Sequence, residues 1–326
     1  MTTWYRGAGE RQTDGSRMAL PASPAQQHNR PEGYIADAGL IDAVNIALHL
    51  GQPLLLTGQP GTGKTQLAYS LAWELGFDEP LKFETKSTSI ARDICYTYDA
   101  LSHLQATQAG SKATTLDFIR WSAFGEAVLK ANEPENVRDI YKPEGGHTEK
   151  QRSVVLIDEI DKAPRDFPND LLNEVDGMYF RIPELDNRKV EADLRPVLIL
   201  TSNSEKNLPE AFLRRCAFYH IPFPERDRLE QIVNRRLGER ISDNPDLQRE
   251  AFEIFELLRD PMSGLVKRPA TSELLSWLHV LTANGAAATL TAPEQIEPAL
   301  CVLTKLTEDR NKARTLIEGW QERNRS

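Results

Sequence analysis

The sequence predicts an open α/β fold built on a parallel sheet, followed by a helical C-terminal region. Three observations predict it. The runs "PLLLT" (53–57), "SVVLID" (153–158) and "PVLILTS" (196–202) are almost wholly apolar, as strands of a parallel sheet covered on both faces should be. Strand-like and helical patterns alternate as far as Pro224, and beyond it the pattern is helical to the end. Between the first of these runs and a helical stretch lies the glycine-rich "GQPGTGKT" (58–65).

Taken in order, residues 1–32 are rich in Gly, Pro, Gln and charge and show no period, which predicts a mobile tail in which Trp4 and Tyr5 could dock. "LIDAVNIALHL" (40–50) has helical spacing, and a second helix is expected over 64–75. "LKFET" (81–85) is a strand candidate. The long mixed stretch 86–151 is most clearly helical in "TLDFIRWSAFGEAVLK" (115–130). Pro224 is the expected boundary, giving a nucleotide-binding core over 33–224 and a helical domain over 225–326.

Composition sets limits on function. The 326 residues carry a formal net charge of −9, which gives no general pull toward nucleic acid. No apolar run reaches the length of a membrane span, and the N-terminus lacks the basic-then-apolar pattern of a signal peptide. Cys95, Cys216 and Cys301 are scattered, with neither metal spacing nor a disulfide framework. These features together predict a cytoplasmic protein.

The glycine-rich segment carries the chemistry. Gly58, Gly61 and Gly63 let successive backbone N–H groups turn inward around phosphate oxygens, with Gln59, Pro60 and Thr62 completing the loop. The helix beginning near Lys64 adds its positive N-terminal end, and Gln66 follows in its first turn. Lys64 is placed to reach the β- and γ-phosphates, and the Thr65 hydroxyl to ligate Mg²⁺. A chance match in a glycine-rich loop would not be expected between an apolar strand and a helix. The segment predicts a bound nucleoside triphosphate.

"VVLIDEIDKAP" ends an apolar strand in Asp158 and Glu159, at the carboxyl end where ligands gather in open α/β sheets. Asp158 suits a Mg²⁺-bound water, and Glu159 suits the polarising of an attacking water. An acidic pair after a strand is often only solvated; downstream of a complete phosphate-binding loop it points to turnover. Asp161 and Lys162 are expected to orient neighbours or face solvent. In "PVLILTSNSEK", spacing alone leaves Asn203 equally a turn residue or a holder of the lytic water.

With "GQPGTGKT", "DEID", a strand ending in Asn203, the arginine pair of "LPEAFLRRCAFYH" and an all-helical C-terminal region on the page, the chain resembles an AAA+ ATPase. Within that group it resembles the MoxR-like branch, which includes the restriction-linked McrB relatives. "RDICYTYDALSHLQ", "RWSAFGEAVLKANE" and "DEIDKAPRDFPNDLLNEVD" carry that likeness, over residues 34 to about 285. The resemblance implies a parallel-sheet AAA+ core with a helical lid, ATP and Mg²⁺ as ligands, and a ring of copies, a hexamer. It implies that Asn203 is the sensor-1 residue and that Arg215 is an arginine finger entering a neighbouring subunit's site, with Arg214 in reserve. A solvated pair at a helix C-terminus is the alternative for those arginines. In "VKRPATSELLSWL", Pro269 suits the first turn of a helix. By resemblance Arg268 before it is the sensor-2 arginine, with Lys267 competing. The base is expected near Tyr34 and Ile35.

The resemblance also places an inserted hairpin over 86–115 and a second hairpin over 178–196, with Asp186 and Asn187 as the turn signal of the latter. Ser122 and Ala123 stand where relatives more often read Gly-Pro. The function expected is a ring ATPase that remodels or activates a partner, by resemblance one with a von Willebrand factor A domain. The alternative is a nucleotide-controlled switch or scaffold of a bacterial defence complex, using GTP if McrB-like. A sugar or nucleotide kinase is a weaker third reading, since no phosphoacceptor site is recognisable.

Overall fold

The computed structural model describes residues 30–204, 208–238, 241, 244–283, 290–292 and 296–324. The tail expected over 1–32, with Trp4 and Tyr5, falls almost wholly outside the described residues. The chain divides into two compact units, Tyr34–Phe223 and the combination of Met1–Gly33 with Pro224–Ser326.

In the first unit, helix α1 (Ala38–Leu50) precedes strand β1 (Leu54–Thr57), and helix α2 (Lys64–Glu74) leads to β2 (Leu81–Glu84). After these come β3 (Tyr96–Tyr98), α3 (Ala100–Gln108), β4 (Ile119–Trp121) and α4 (Ala123–Lys130). β5 (Val154–Asp158), the short helices α5 (Phe167–Asp170) and α6 (Leu172–Gly177), and the pair β6 (Tyr179–Ile182) and β7 (Arg188–Glu191) follow. β8 (Val197–Thr201), α7 (Glu210–Leu213) and β9 (Ala217–His220) complete the unit. The main sheet is parallel throughout, in the order β2-β5-β8-β1-β9.

Side chains alternate across a strand, so an all-apolar strand serves two cores. On one face Leu55, Val155, Ile157, Leu198 and Leu200 pack with Phe124, Ala127 and Val128 of α4. On the other, Leu54, Leu56, Val154, Leu156 and Ile199 pack with Leu40 and Val44 of α1 and Leu67, Ala68 and Leu71 of α2. Helices on both faces leave the strand ends as the place for a ligand.

Two sequence expectations in this unit need correction, and one strand was not foreseen. "TLDFIRWSAFGEAVLK" is not one helix: a 3₁₀ turn (Thr115–Phe118) and β4 precede α4. β4 pairs antiparallel with β3, Tyr96 opposite Trp121, so the insert expected as a hairpin over 86–115 reaches 121 and encloses a helix. α4 begins at Ala123, and a Cβ on Gly125 would stand 1.9 Å from the Cys95 carbonyl oxygen, so glycine alone allows this close crossing. β9 was not anticipated. It pairs along the whole of β1, from Leu54 opposite Ala217 to Thr57 opposite His220. The expected hairpin over 178–196 is present as β6–β7, with Asp186 and Asn187 both left-handed at φ 52° and 56°.

The second unit holds α8 (Arg226–Leu237), α9 (Pro245–Arg259), α10 (Thr271–Ala283), α11 (Ile296–Leu303) and α12 (Thr307–Arg323). Pro245 at the first position of α9 and the Asn244 side chain, which accepts from Leu247 N at 3.1 Å, start that helix. Residues 30–33 dock on α8: Arg235 donates to the Glu32 carbonyl at 3.3 and 3.2 Å, and Arg236 to the Arg30 carbonyl at 2.6 Å. Pro269 lies before α10 rather than in its first turn. Its carbonyl accepts from Arg259 Nη1 at 2.6 Å, and the fully buried Asp309 accepts from the backbone N–H of Val266 and Lys267 at 2.8 and 2.9 Å. The exposed Arg268 is thus carried on a backbone held on both sides. Burial and the neighbouring Arg268 charge lower Arg259 to about 10.

Candidate nucleotide-binding and hydrolysis site

The loop after β1 has the backbone its glycines permit. Gly58, Gly61 and Gly63 have φ of 144°, 77° and 92°, all disfavoured for a side chain. A Cβ on Gly58 would come within 2.6 Å of the Ile221 carbonyl, and one on Gly63 within 3.1 Å of the Tyr34 ring. The Tyr34 ring, with Ile35 next in the chain, therefore lies against the loop at Gly63, while Thr62 Oγ1 donates to the Gln59 carbonyl at 2.9 Å and closes the turn. Pro60 and Gln59 are exposed at the loop's tip, and Gln66 is half-buried in the first turn of α2.

Lys64, only 7 % exposed, donates to the carbonyls of Gly58 and Gln59 at 2.7 and 3.1 Å and to Asn203 Oδ1 at 3.0 Å. Burial lowers its ammonium from the ordinary value, while Asp161, Asp158 and Glu159 act in the opposite sense. Asn203, at the end of β8, is thereby brought to the loop lysine, and its own N–H donates to Asp161 Oδ1 at 3.3 Å.

Asp158 ends β5 and is a hub. Its Oδ1 accepts from Thr65 Oγ1 at 2.9 Å and from Thr201 Oγ1 at 2.6 Å, and its Oδ2 faces Lys82 Nζ at 3.1 Å. Lys82 also donates to Glu84 at 2.7 Å. Burial pulls the Lys82 ammonium down, but its bonds to Glu84 and Asp158 outweigh that and leave it raised. The hydroxyl and carboxylate oxygens of Thr65 and Asp158 are the hard donors that Mg²⁺ takes, beside a loop shaped for the phosphates that complete its shell. The donor set fits that ion.

Glu159 has φ 57° and ψ 50°, a left-handed conformation that a side chain adopts rarely and at a cost. Thr201 Oγ1 accepts from the Glu159 N–H at 2.9 Å, so one hydroxyl fixes both acidic residues. The Glu159 carboxylate forms an ion pair with Lys162, whose ammonium that contact raises. Sequence reasoning missed Thr201 and Lys82. Thr201 was legible only as an apolar-strand residue two places before Asn203, and Lys82 reaches Asp158 only because β2 and β5 pair, with Glu84 opposite Asp158.

Arg214 and Arg215 follow α7, where Arg214 pairs with Glu210 and Arg215 Nε lies 2.7 Å from Asp176 Oδ2. Arg268 belongs to the helical unit. No helix among the described residues is long and apolar enough to cross a membrane.

Among solved structures, the chain is similar to the Thermotoga maritima RuvB Holliday junction branch migration motor, with 15% identity, 90% of this chain and 81% of that one covered, and a TM-score of 0.48. It is also similar to the S. cerevisiae Hsp104–ADP complex, with 19% identity, 80% and 46% covered, and a TM-score of 0.47. Likeness at this level says nothing of what this chain acts on. A search among curated proteins returns no match. The family model for the ATPase family associated with various cellular activities (AAA) matches residues 54–224, from β1 through β9 and so across every strand of the main sheet but none of the helices α8–α12. More than half of the chain, including the phosphate-binding loop, Asp158, Glu159, Asn203 and Arg215, lies inside that match, and the protein belongs to the AAA family of ATP-hydrolysing enzymes.

Proposed function

We propose that the protein is a Mg²⁺-dependent ATPase of the MoxR-like branch that works as a ring, a hexamer, and remodels or activates a partner protein. The observation that supports this reading best is the meeting of three motifs at the sheet's carboxyl edge. Lys64 and Asn203 join there, Thr65 and Asp158 join beside them, and Glu159 follows Asp158 in a strained conformation.

In this reading Gly58 to Thr65 hold the triphosphate with backbone N–H groups and the Lys64 ammonium, and Gln66 lies at the start of the adjoining helix. Tyr34 and Ile35 flank the base. Thr65 and Asp158 would hold Mg²⁺, which when bound neutralises charge on the β- and γ-phosphates. Glu159 accepts a proton from the attacking water, and Asn203 positions that water or the γ-phosphate. Arg215 completes a second copy's site, and Arg268 reports the γ-phosphate to the helical lid, which spans 225–326 and follows a core over 33–224. The partner is a protein, of the von Willebrand factor A-domain kind by family resemblance, in the cytoplasm.

The test is capture of partners by a Glu159→Gln protein held in its ATP state, compared with Lys64→Ala. A protein retained by the first and not the second supports a nucleotide-driven remodeller. Equal retention by both would set that reading aside.

A further inference from the structure

The adjacent arginines after α7 are held in different ways. Arg214 folds back on Glu210 one turn earlier, and the two side chains are 77% and 76% exposed. Such a pair on one short helix constrains little. Arg215 meets groups from two different elements: its Nε lies 2.7 Å from Asp176 Oδ2 in an ion pair, and its Nη1 donates to the Ala211 carbonyl at 3.2 Å. Contacts from two elements restrict how a planar guanidinium can turn. Among the described residues Nη2 makes no hydrogen bond, and the side chain is 45% exposed.

Asp176 is itself well placed. It stands at the end of α6, where the chain turns through Met178 at φ 47° into β6, and its carbonyl accepts from Arg195 Nη1 at 3.3 Å. Burial pushes the nearby Cys216 thiol up to about 12, with the Asp176 charge adding to the effect.

We propose that Asp176 is a positioning residue for Arg215, restricting the direction in which the guanidinium is presented to the transferring phosphoryl group in the site of a second copy. The inference rests on the reading of Arg215 as a finger supplied in trans. An exposed ion pair contributes little to stability, so geometry is what Asp176 supplies. Misplacing a reacting group by about 1 Å costs on the order of 10²-fold in rate.

The experiment compares steady-state hydrolysis and nucleotide binding in the full-length chain carrying Asp176→Asn, Arg215→Ala, or both. Asp176→Asn is expected to lower kcat about 10–100-fold with KM, nucleotide affinity and thermal midpoint unchanged. Asp176→Glu, which keeps the charge, should recover part of the loss, and the double variant should be no slower than Arg215→Ala. Mixed with Lys64→Ala, whose Asp176 and Arg215 are intact, Asp176→Asn should regain activity. Arg215→Ala at the parent rate would overturn the finger reading itself. Arg215→Ala inactive beside Asp176→Asn at the parent rate would overturn only the role of Asp176, as would a double variant clearly slower than Arg215→Ala. If Asp176→Asn does not assemble, Asp176→Ser in the same mixture makes the same distinction.

Discussion

Replacing Thr201 by valine would test whether one hydroxyl organises both acidic residues. The substitution keeps the shape of a fully buried side chain, so it opens almost no cavity. It removes a 2.6 Å donor to Asp158 and the acceptor of the Glu159 N–H at 2.9 Å. A hydrogen bond to a charged group contributes about 1.5–3 kcal/mol, and a buried donor left unpaired costs about 1–3 kcal/mol. Asp158 keeps Thr65 and Lys82 as partners, and the freed N–H belongs to Glu159, which is only partly buried. The sum therefore falls toward its lower end, about 2.5–3 kcal/mol. For a core of this size that is about 5–12 °C in thermal midpoint. Urea unfolding would measure the loss, and amide exchange at Glu159 should accelerate because its acceptor is gone. Hydrolysis should fall, since the left-handed Glu159 loses its backbone anchor, while triphosphate binding changes little because the loop and Lys64 are untouched. A Thr201→Val protein of parental stability with unaltered Glu159 exchange and hydrolysis would refute this account.

Three further outcomes are expected. Lys64→Ala should abolish productive triphosphate binding, whereas Glu159→Gln should bind normally and not turn over, because an amide cannot take the water's proton; fluorescent-nucleotide titration beside phosphate release separates the two. With Mg²⁺ present ATP should displace a bound fluorescent analogue at lower concentration than GTP, and the reverse order would move the protein toward the McrB-like side. Mixing Arg215→Ala with Lys64→Ala should restore hydrolysis, greatest at intermediate ratios, because a finger in trans is worth about 10³–10⁵ in rate and some interfaces would pair an intact loop with an intact finger. Co-assembly, shown by pull-down of one tagged variant with the other, and no recovered activity would count against Arg215 acting in trans. Repeating the mixture with Arg214→Ala identifies which arginine acts.

By itself the sequence determined what depends on neighbours along the chain. The glycines of "GQPGTGKT" fix the loop because their permitted φ angles are a local property, and the apolar runs of β1, β5 and β8 declare strands buried on both faces because nothing else leaves so few polar residues. Asp158 and Glu159 could be named as candidates for the same reason, since they end such a run and strand ends are where this fold gathers ligands, whereas spacing left Asn203 open and only the family resemblance singled it out. β9 was hidden because it is a four-residue edge strand, half exposed in alternation and preceded by two arginines, so its only warrant is its pairing with β1. β4 was hidden in a helical pattern that its antiparallel partner β3 overrides. Contacts between distant parts of the chain were decided only by the fold. Thr201 and Lys82 meet Asp158 because β8 and β2 flank β5, and Asp176 meets Arg215 because α6 and α7 share one side of the core unit. A hydrogen bond is made within about 3 Å, a distance that spacing along the chain does not encode once the partners lie on different elements.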